Sequence, residues 1–230
     1  MNVDNPYLPP TIELETSRRA TFITRTYTHL FLAILSFVGI ELSIFQSGFA
    51  ETLASKMLSV NWLFVLGGFM IASWLARSVA HRAKSLPTQY LGLGLFVLAQ
   101  AIIFVPLLYV ADHYAPGAIK SAAMVTIAGT AGLTLIVFYT RKDFSFLRSI
   151  LAFGGVLALI AIVAGAIFGF QLGTWFSVGM IALAGGGILH DTSKIMHHYH
   201  EDQYVGAALE LFASVALLFW YVLRLFMSRD

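Results

Sequence analysis

The chain is built from long apolar stretches that alternate with short polar ones. Each apolar stretch holds close to 20 residues or more, which is about the length of helix that crosses the hydrocarbon core of a bilayer. Stretches of this length without a period-2 alternation of apolar and polar positions exclude a membrane β-barrel. We predict an all-α integral membrane protein with seven spanning helices. They cover residues 27–46, 60–80, 89–111, 118–139, 146–170, 174–196 and 205–227.

The fifth and sixth of these helices lie within one uncharged stretch. Residues 149–190 hold 42 positions without Asp, Glu, Lys or Arg. At a rise of about 1.5 Å per residue, one helix of that length would be about twice as long as a membrane is thick. The chain must therefore fold back, and residues 171–174, Gln-Leu-Gly-Thr, are the turn that the sequence offers.

Composition agrees with this class of protein. Of 230 residues, 58% are hydrophobic and 11% are charged, where a soluble domain carries roughly 25% charged residues. The lipid bilayer is thus the expected surrounding. A net charge of +2 from scattered basic residues does not indicate nucleic acid, and the absence of cysteine excludes disulfides and thiolate chemistry. No hydrolase, P-loop, zinc-protease or dinucleotide motif is found, so we predict neither an enzyme nor a cofactor.

Basic residues predict the orientation. Ten Lys and Arg fall on the side of the N-terminus in the seven-helix arrangement and four on the other side, which places the N-terminus in the cytoplasm. Residues 1–24 combine three prolines with several acids and lack the apolar core of a signal peptide. We interpret residues 1–24 as a cytoplasmic tail and residues 25–230 as one seven-helix domain.

Acidic residues near two helix ends are the strongest functional candidates. Asp191 lies near the end of the sixth apolar run, and Glu210 and Ser214 lie four residues apart on one face of the seventh. Ionisable groups at membrane depth are costly and usually functional. Arg77, at the cytoplasmic end of the second helix, is at the right depth to pair with them, and the alternative is that it is an ordinary basic anchor on the cytoplasmic side. The structural alternative is that Asp191 simply pairs with Lys194, three residues later.

Three further features need an explanation. Glu41 lies deep in the first helix, where it must pair, protonate or face water. His197, His198 and His200 follow the sixth helix without a recognised metal-binding spacing, so we interpret them as a solvated loop and predict no metal site. The glycine triplet at 185–187, one turn before Asp191, marks a place where a neighbouring helix approaches closely or where the helix bends.

Three segments carry a resemblance to a known family. Residues 139–147, YTRKDFSFL, resemble the loop between the fourth and fifth helices of the Bax inhibitor-1 family. Residues 188–195, ILHDTSKI, resemble its acidic motif in the sixth helix, and residues 21–35 resemble its entry to the first helix. The resemblance implies six helices around a central one, with two cytoplasmic-side aspartates that form a pH-sensitive latch on a calcium leak.

The position of the second aspartate departs from that pattern. The first aspartate of the latch falls on Asp191, whereas the second falls on Ser214, and an arginine that pairs with them in some members falls near Ala76 or Arg77. A serine in the last helix resembles the bacterial YccA-like branch of the family. That branch implies an inner-membrane protein that binds and restrains the membrane-anchored ATP-dependent protease FtsH.

Two hypotheses follow from different classes of protein. The first is a regulator of FtsH that presents its N-terminal tail to the protease. The second is a pH-sensitive leak for calcium or another cation, in which Asp191, assisted by Glu210, binds a proton or Ca²⁺ and so switches the packing of the last two helices. Calcium prefers six to eight oxygen ligands, and two carboxylates with one hydroxyl are a small set, which favours the regulator.

Overall fold

The computed structural model of the chain describes residues 16–82 and 85–228, and these residues form helices joined by short connections, with no strand among them. The helices are α1 (Thr16–Gln46), α2 (Phe49–Ser59), α3 (Trp62–Arg82), α4 (Leu86–Tyr114), α5 (Ala118–Thr140), α6 (Leu147–Phe168), α7 (Thr174–His197) and α8 (Tyr204–Met227).

The seven predicted runs correspond to α1 and α3 to α8, with two differences. Helix α2, of 11 residues, was not predicted, and at about 1.5 Å per residue it is too short to cross a bilayer. Helix α1 begins at Thr16, inside the predicted tail, so residues 16–24 are helical. Residues 1–15 lie outside the described part, and the division of the chain into tail and bundle stays a prediction.

Six helices of the described chain are long and apolar enough to cross a membrane: α1, α3, α4, α5, α6 and α8. Helix α7 is long enough, but its glycine triplet and the polar pair His190 and Asp191 make it less apolar. The prediction of an all-helical membrane protein is confirmed. The count of seven spans and the cytoplasmic position of the N-terminus stay predictions.

The turn between α6 and α7 lies where the sequence predicted it. Helix α6 ends at Phe168, and α7 begins at Thr174. Gly169 follows α6 with φ of 76°, and its N–H donates to the Gly165 carbonyl at 2.9 Å. This left-handed conformation is easily reached only by glycine, which makes Gly169 the natural end of the helix.

Helix α8 lies at the centre of the bundle. It packs against α1, α3, α4, α5 and α7, while α6 lies mainly against α7. Its middle section is held by aromatic contacts: Phe104 of α4 meets Trp220 edge-on, with ring centroids 4.9 Å apart, and Phe212 lies between Phe37 and Phe96. A helix buried on most sides is apolar around most of its circumference, as α8 is.

Helices α3 and α4 pack so closely at Gly92 that no side chain would fit at that position. A Cβ atom on Gly92 would lie 2.6 Å from the backbone nitrogen of Ala80 and 2.8 Å from the carbonyl oxygen of Ala76. Small residues at such a contact let two backbones pack directly, which is how helices associate where lipid provides no hydrophobic drive. The contact fixes the part of α3 that carries Arg77.

Candidate functional site

One end of the bundle gathers the predicted site residues; we call it the acidic end. It consists of the end of α3, the end of α7 and the start of α8. Because α3 and α7 end where α8 begins, side chains that are far apart in sequence meet there. The acidic end contains Arg77, His81, Asp191, Glu210 and Ser214.

Asp191 is bonded to the residue that replaces the second aspartate. The Ser214 hydroxyl donates to Oδ2 of Asp191 at 2.6 Å. Gly187 makes this possible, because a Cβ atom there would lie 2.8 Å from the Ser214 Oγ. Gly186 faces Leu151 of α6 in the same way, because a Cβ atom on Gly186 would lie 3.1 Å from Cδ2 of Leu151. The prediction that the glycine triplet marks a close helix approach is therefore confirmed.

Glu210 has a different partner. The Arg77 guanidinium forms an ion pair with Glu210 Oε2, and Nε2 of His81 lies 3.6 Å from Oε1. Arg77 also lies over the ring of Phe96, 5.2 Å from its centroid. The side chains of Arg77 and Glu210 are 40% and 19% exposed. Each carboxylate of the acidic end therefore already has its own hydrogen-bond donor within the protein.

The structural alternative for Asp191, a salt bridge with Lys194, is not formed. Lys194 lies over the ring of Tyr199, with its Nζ 4.9 Å from the centroid, and among the described residues it forms no salt bridge with Asp191. Directly beside Asp191, the Tyr27 hydroxyl of α1 donates to Thr192 Oγ1 at 3.4 Å. The structure brings Asp191, Ser214, Glu210 and Arg77 together, while their functional roles stay predictions.

Glu41 is not part of the acidic end. It lies on the buried face of α1, one turn after Phe37, with 7% of its surface exposed. Neither carboxyl oxygen has a hydrogen-bond partner within residues 16–82 and 85–228. Glu41 is therefore a buried polar group outside the candidate site, and no hydrogen bond offsets the free-energy cost of removing its carboxyl group from water.

We expect Glu41→Leu to stabilise the protein by about 1 kcal/mol, because it removes a buried carboxyl group that has no hydrogen-bond partner. Thermal unfolding in detergent micelles measures the change. Glu51→Leu on α2 is the control, since Glu51 is exposed and its replacement should change stability by less than about 0.5 kcal/mol. Destabilisation by Glu41→Leu would show that the carboxyl group has a structural role.

The loop between α5 and α6 is fastened to the end of α7; we call this contact the loop clamp. The Ser193 hydroxyl donates to Asp143 Oδ1 at 3.2 Å and accepts from the Phe144 N–H at 2.9 Å. His198 Nε2 lies 3.4 Å from Asp143 Oδ2, and His190 Nδ1 lies 3.3 Å from the Phe144 carbonyl. The clamp thus contacts α7 on both sides of Asp191.

The clamp favours an ionised Asp143. Burial alone would raise the pKa of this carboxyl group, but hydrogen bonds from Ser145 and Ser193 and the His198 imidazole together hold its pKa below the ordinary value.

Two histidines that follow Asp191 make contacts within the protein. Besides His198, which lies beside Asp143, His197 has its Nδ1 2.9 Å from the Ser193 carbonyl oxygen. In the part of the chain that the structure describes, no three His, Asp or Glu side chains are grouped so as to hold a metal ion.

A cavity of about 1220 Å³ extends from the acidic end through the bundle. Helices α3, α4, α6, α7 and α8 provide most of its lining, which between the two ends is apolar apart from Ser73 and Gln100. One end of the cavity reaches Arg77, Asp191, Glu210 and Ser214, and the other reaches Arg224 near the end of α8. Polar groups therefore lie at both ends of a largely hydrocarbon-lined space.

Sequence reasoning missed His81 of the acidic end and Tyr27, which lies beside it on α1. His81 follows Arg77 by four residues and so shares its face of α3, a spacing that could have indicated the contact with Glu210. For Tyr27, no local signal in the sequence places its hydroxyl beside Thr192. Long-range contacts of this kind depend on how the helices are arranged.

Comparison with known proteins gives relatives from bacteria and plants. The chain is 36% identical over 115 residues to the Escherichia coli protein named Modulator of FtsH protease YccA, which covers 45% of this chain and 52% of that protein. It is 30% identical over 152 residues to Protein LIFEGUARD 4 of Arabidopsis thaliana, covering 63% and 59%. The chain thus spans little more than half the length of these curated relatives.

A longer but weaker match covers nearly the whole chain. Protein LIFEGUARD 1 of Arabidopsis thaliana is 26% identical over 221 residues, which is 92% of this chain and 91% of that protein. The family model described as Inhibitor of apoptosis-promoting Bax1 matches residues 19–230. The described helices and this match together confirm the resemblance, and the chain is a membrane protein that belongs to the Bax inhibitor-1 family.

Proposed function

We propose that this protein is a bacterial inner-membrane regulator that binds an FtsH-type membrane-anchored protease. The support is its 36% identity over 115 residues to the protein named Modulator of FtsH protease YccA. In this reading the bundle contacts the protease within the membrane, and the N-terminal segment before α1 is presented to it. The protein itself performs no catalytic step.

The geometry of the acidic end supports this choice over ion transport. Asp191 accepts from Ser214, and Glu210 is paired with Arg77, so each carboxylate has a partner that a cation would have to displace. A calcium ion takes about six to eight oxygen ligands, and here only three side chains provide them. The arrangement is better suited to holding α3, α7 and α8 together than to binding a divalent cation.

The test is co-purification with FtsH from mildly solubilised membranes, combined with the turnover of the protein in the same cells. Deleting residues 2–14 leaves α1 whole, since that helix begins at Thr16. We expect the deletion variant to insert normally and bind FtsH but to have a longer half-life. A variant with residues 2–14 in scrambled order is the control for segment length. Absence of FtsH from the purified material would overturn the proposal.

A second candidate function is a pH-sensitive cation leak. The cavity favours it, because one space of about 1220 Å³ reaches from Asp191 at one end of the bundle to Arg224 at the other. Proteoliposomes loaded with a calcium dye provide the test. A leak requires flux above that of empty vesicles, changing with pH and lost in Asp191→Asn, whereas flux equal to empty vesicles excludes it.

A further inference from the structure

The face of α8 that lines the cavity changes in character along its length. Glu210 and Ser214 lie at the acidic end, Leu217 and Trp220 line the middle, and Arg224 lies at the opposite end. These positions are three to four residues apart and therefore form one continuous stripe. From Ser214 to Arg224 the helix rises about 15 Å, which is half of the roughly 30 Å hydrocarbon core and so about the depth of one leaflet.

Most of the cavity lining away from its two ends is apolar. It includes Leu66 and Phe69 of α3, Phe104 and Leu107 of α4, and Trp220 of α8, while the polar side chains of Ser73 and Gln100 lie between this part and the acidic end. A buried water needs about two to four polar partners, whereas an apolar cavity takes up apolar molecules. The volume exceeds the upper end of the 300–1,000 Å³ typical of small-molecule sites. An acyl chain fits this lining chemically.

The cavity has a side that faces the bilayer. Helices α3 and α6 both line the cavity, yet they touch each other only sparingly, while each packs against another helix, α3 against α4 and α6 against α7. On the α6 wall, Gly155 has nothing within 4 Å of where its Cβ would lie. A lipid chain can therefore enter laterally between α3 and α6 beside Gly155.

Arg224 provides a charge at the far end of the cavity. Its Nη2 donates to the Leu172 carbonyl at 2.8 Å, and within residues 16–82 and 85–228 no carboxylate forms a salt bridge with it. One bond to a carbonyl leaves other guanidinium donors available, and a guanidinium matches the geometry of a phosphate group. The charge thus complements an anionic head group at the depth where a chain in the cavity would begin.

We propose that the cavity binds one anionic phospholipid of the bilayer, with its phosphate at Arg224 and an acyl chain that reaches toward Ser214. In the predicted orientation, which has the N-terminus in the cytoplasm, this lipid belongs to the outer leaflet. The proposal does not depend on FtsH binding or on ion conduction. It predicts that purified protein prefers phosphatidylglycerol over phosphatidylcholine at this site.

Two native tryptophans allow a direct measurement. Trp62 and Trp220 line the cavity, with ring centroids 6.3 Å apart, whereas Trp74 and Trp175 are 63% and 85% exposed on the surface. In the variant Trp74→Phe/Trp175→Phe, fluorescence therefore reports on the cavity. We reconstitute this variant with lipids whose acyl chains are brominated and compare the quenching by phosphatidylglycerol and phosphatidylcholine. An apparent preference of about 10-fold for the anionic lipid is expected.

Five variants in that background make the test specific. Arg224→Gln should remove the preference, Arg224→Lys should keep most of it, and Lys120→Gln, which alters an exposed cation at the start of α5 outside the cavity lining, should leave it unchanged. Gly155→Leu should block the lateral entry and reduce quenching by both lipids. Gly39→Leu on the exposed face of α1, where a Cβ also meets nothing within 4 Å, is its control.

The first comparison alone can overturn the proposal. Equal quenching by the two brominated lipids before any change to Arg224 would show that no anionic site exists. An unchanged preference in folded Arg224→Gln protein would place the anionic lipid elsewhere. If Arg224→Gln does not fold, the pair Gly155→Leu and Gly39→Leu decides, because identical quenching in the two variants would exclude a lipid chain in the cavity.

Discussion

Replacing Gly92 with alanine is expected to destabilise the protein by about 2 kcal/mol or more. The added methyl group would lie 2.6 Å from the Ala80 nitrogen and 2.8 Å from the Ala76 carbonyl oxygen, and backbone atoms of a packed helix cannot turn aside as a side chain can. Alanine favours helix over glycine by about 1 kcal/mol, which is too small to offset this overlap. Thermal unfolding in detergent micelles measures the loss.

Gly94→Ala is the matched control, because Gly94 lies on the same helix and a Cβ there meets nothing within 4 Å. We expect Gly94→Ala to be neutral or to stabilise the protein by up to about 1 kcal/mol. The Gly92 variant should also weaken the acidic end, since Arg77 is next to Ala76 on the helix that must move. Equal stability of the two alanine variants would contradict the close α3–α4 contact.

Replacing Arg77 with methionine is expected to cost about 2 kcal/mol, because Glu210 is left partly buried without its cation. Breaking a fully buried ion pair costs about 3–5 kcal/mol, and we expect less here because Arg77 is 40% exposed and water screens part of the interaction. His81 compensates only in part, with its Nε2 3.6 Å from the other Glu210 oxygen. Thermal unfolding of the purified variants measures these differences.

A double-mutant cycle separates the ion pair from the loss of packing. Arg77→Met/Glu210→Met should recover much of the stability that Arg77→Met loses, since no carboxylate remains unpaired. The exposed pair of Arg18 and Glu201, with side chains 51% and 28% exposed, provides the comparison, and Arg18→Met should cost no more than about 0.5 kcal/mol. Similar costs for Arg18→Met and Arg77→Met would show that partial burial of Glu210 does not matter.

The long helices were predictable from the sequence because uncharged stretches of bilayer length have few alternatives to helix. Helix α2 was not, since Glu51 and Lys56 make residues 49–59 look like a polar connection. The early start of α1 was missed for a similar reason. Arg18 reads as part of a charged tail, but its side chain is paired with Glu201 in the connection between α7 and α8, 183 residues away.

The acidic end was predictable in part. Asp191 and Ser214 were linked by the family resemblance, and the glycine triplet indicated that a helix approaches there. The partner of Glu210 depends on the position of α3, for which the sequence offered only the depth of Arg77. The loop clamp and the cavity could not be predicted, because both depend on how whole helices are placed relative to each other, and no local pattern encodes that placement.

The loop clamp and the glycine contact at Gly92 define two parts of the bundle, one with α3 and α4 and one with α6 and α7. Gly92 joins α3 and α4 backbone to backbone, and the clamp joins the α5–α6 loop to α7. Between the two parts, α3 and α6 have little contact, while α8 packs against α3 and α4 of the first part and against α7 of the second. A force that widens the cavity would therefore act first on the contact between α3 and α8, because α4 is also held by α1 and α2. The first polar contact to break would be the one between Arg77 and Glu210, and Asp191 would keep its serine.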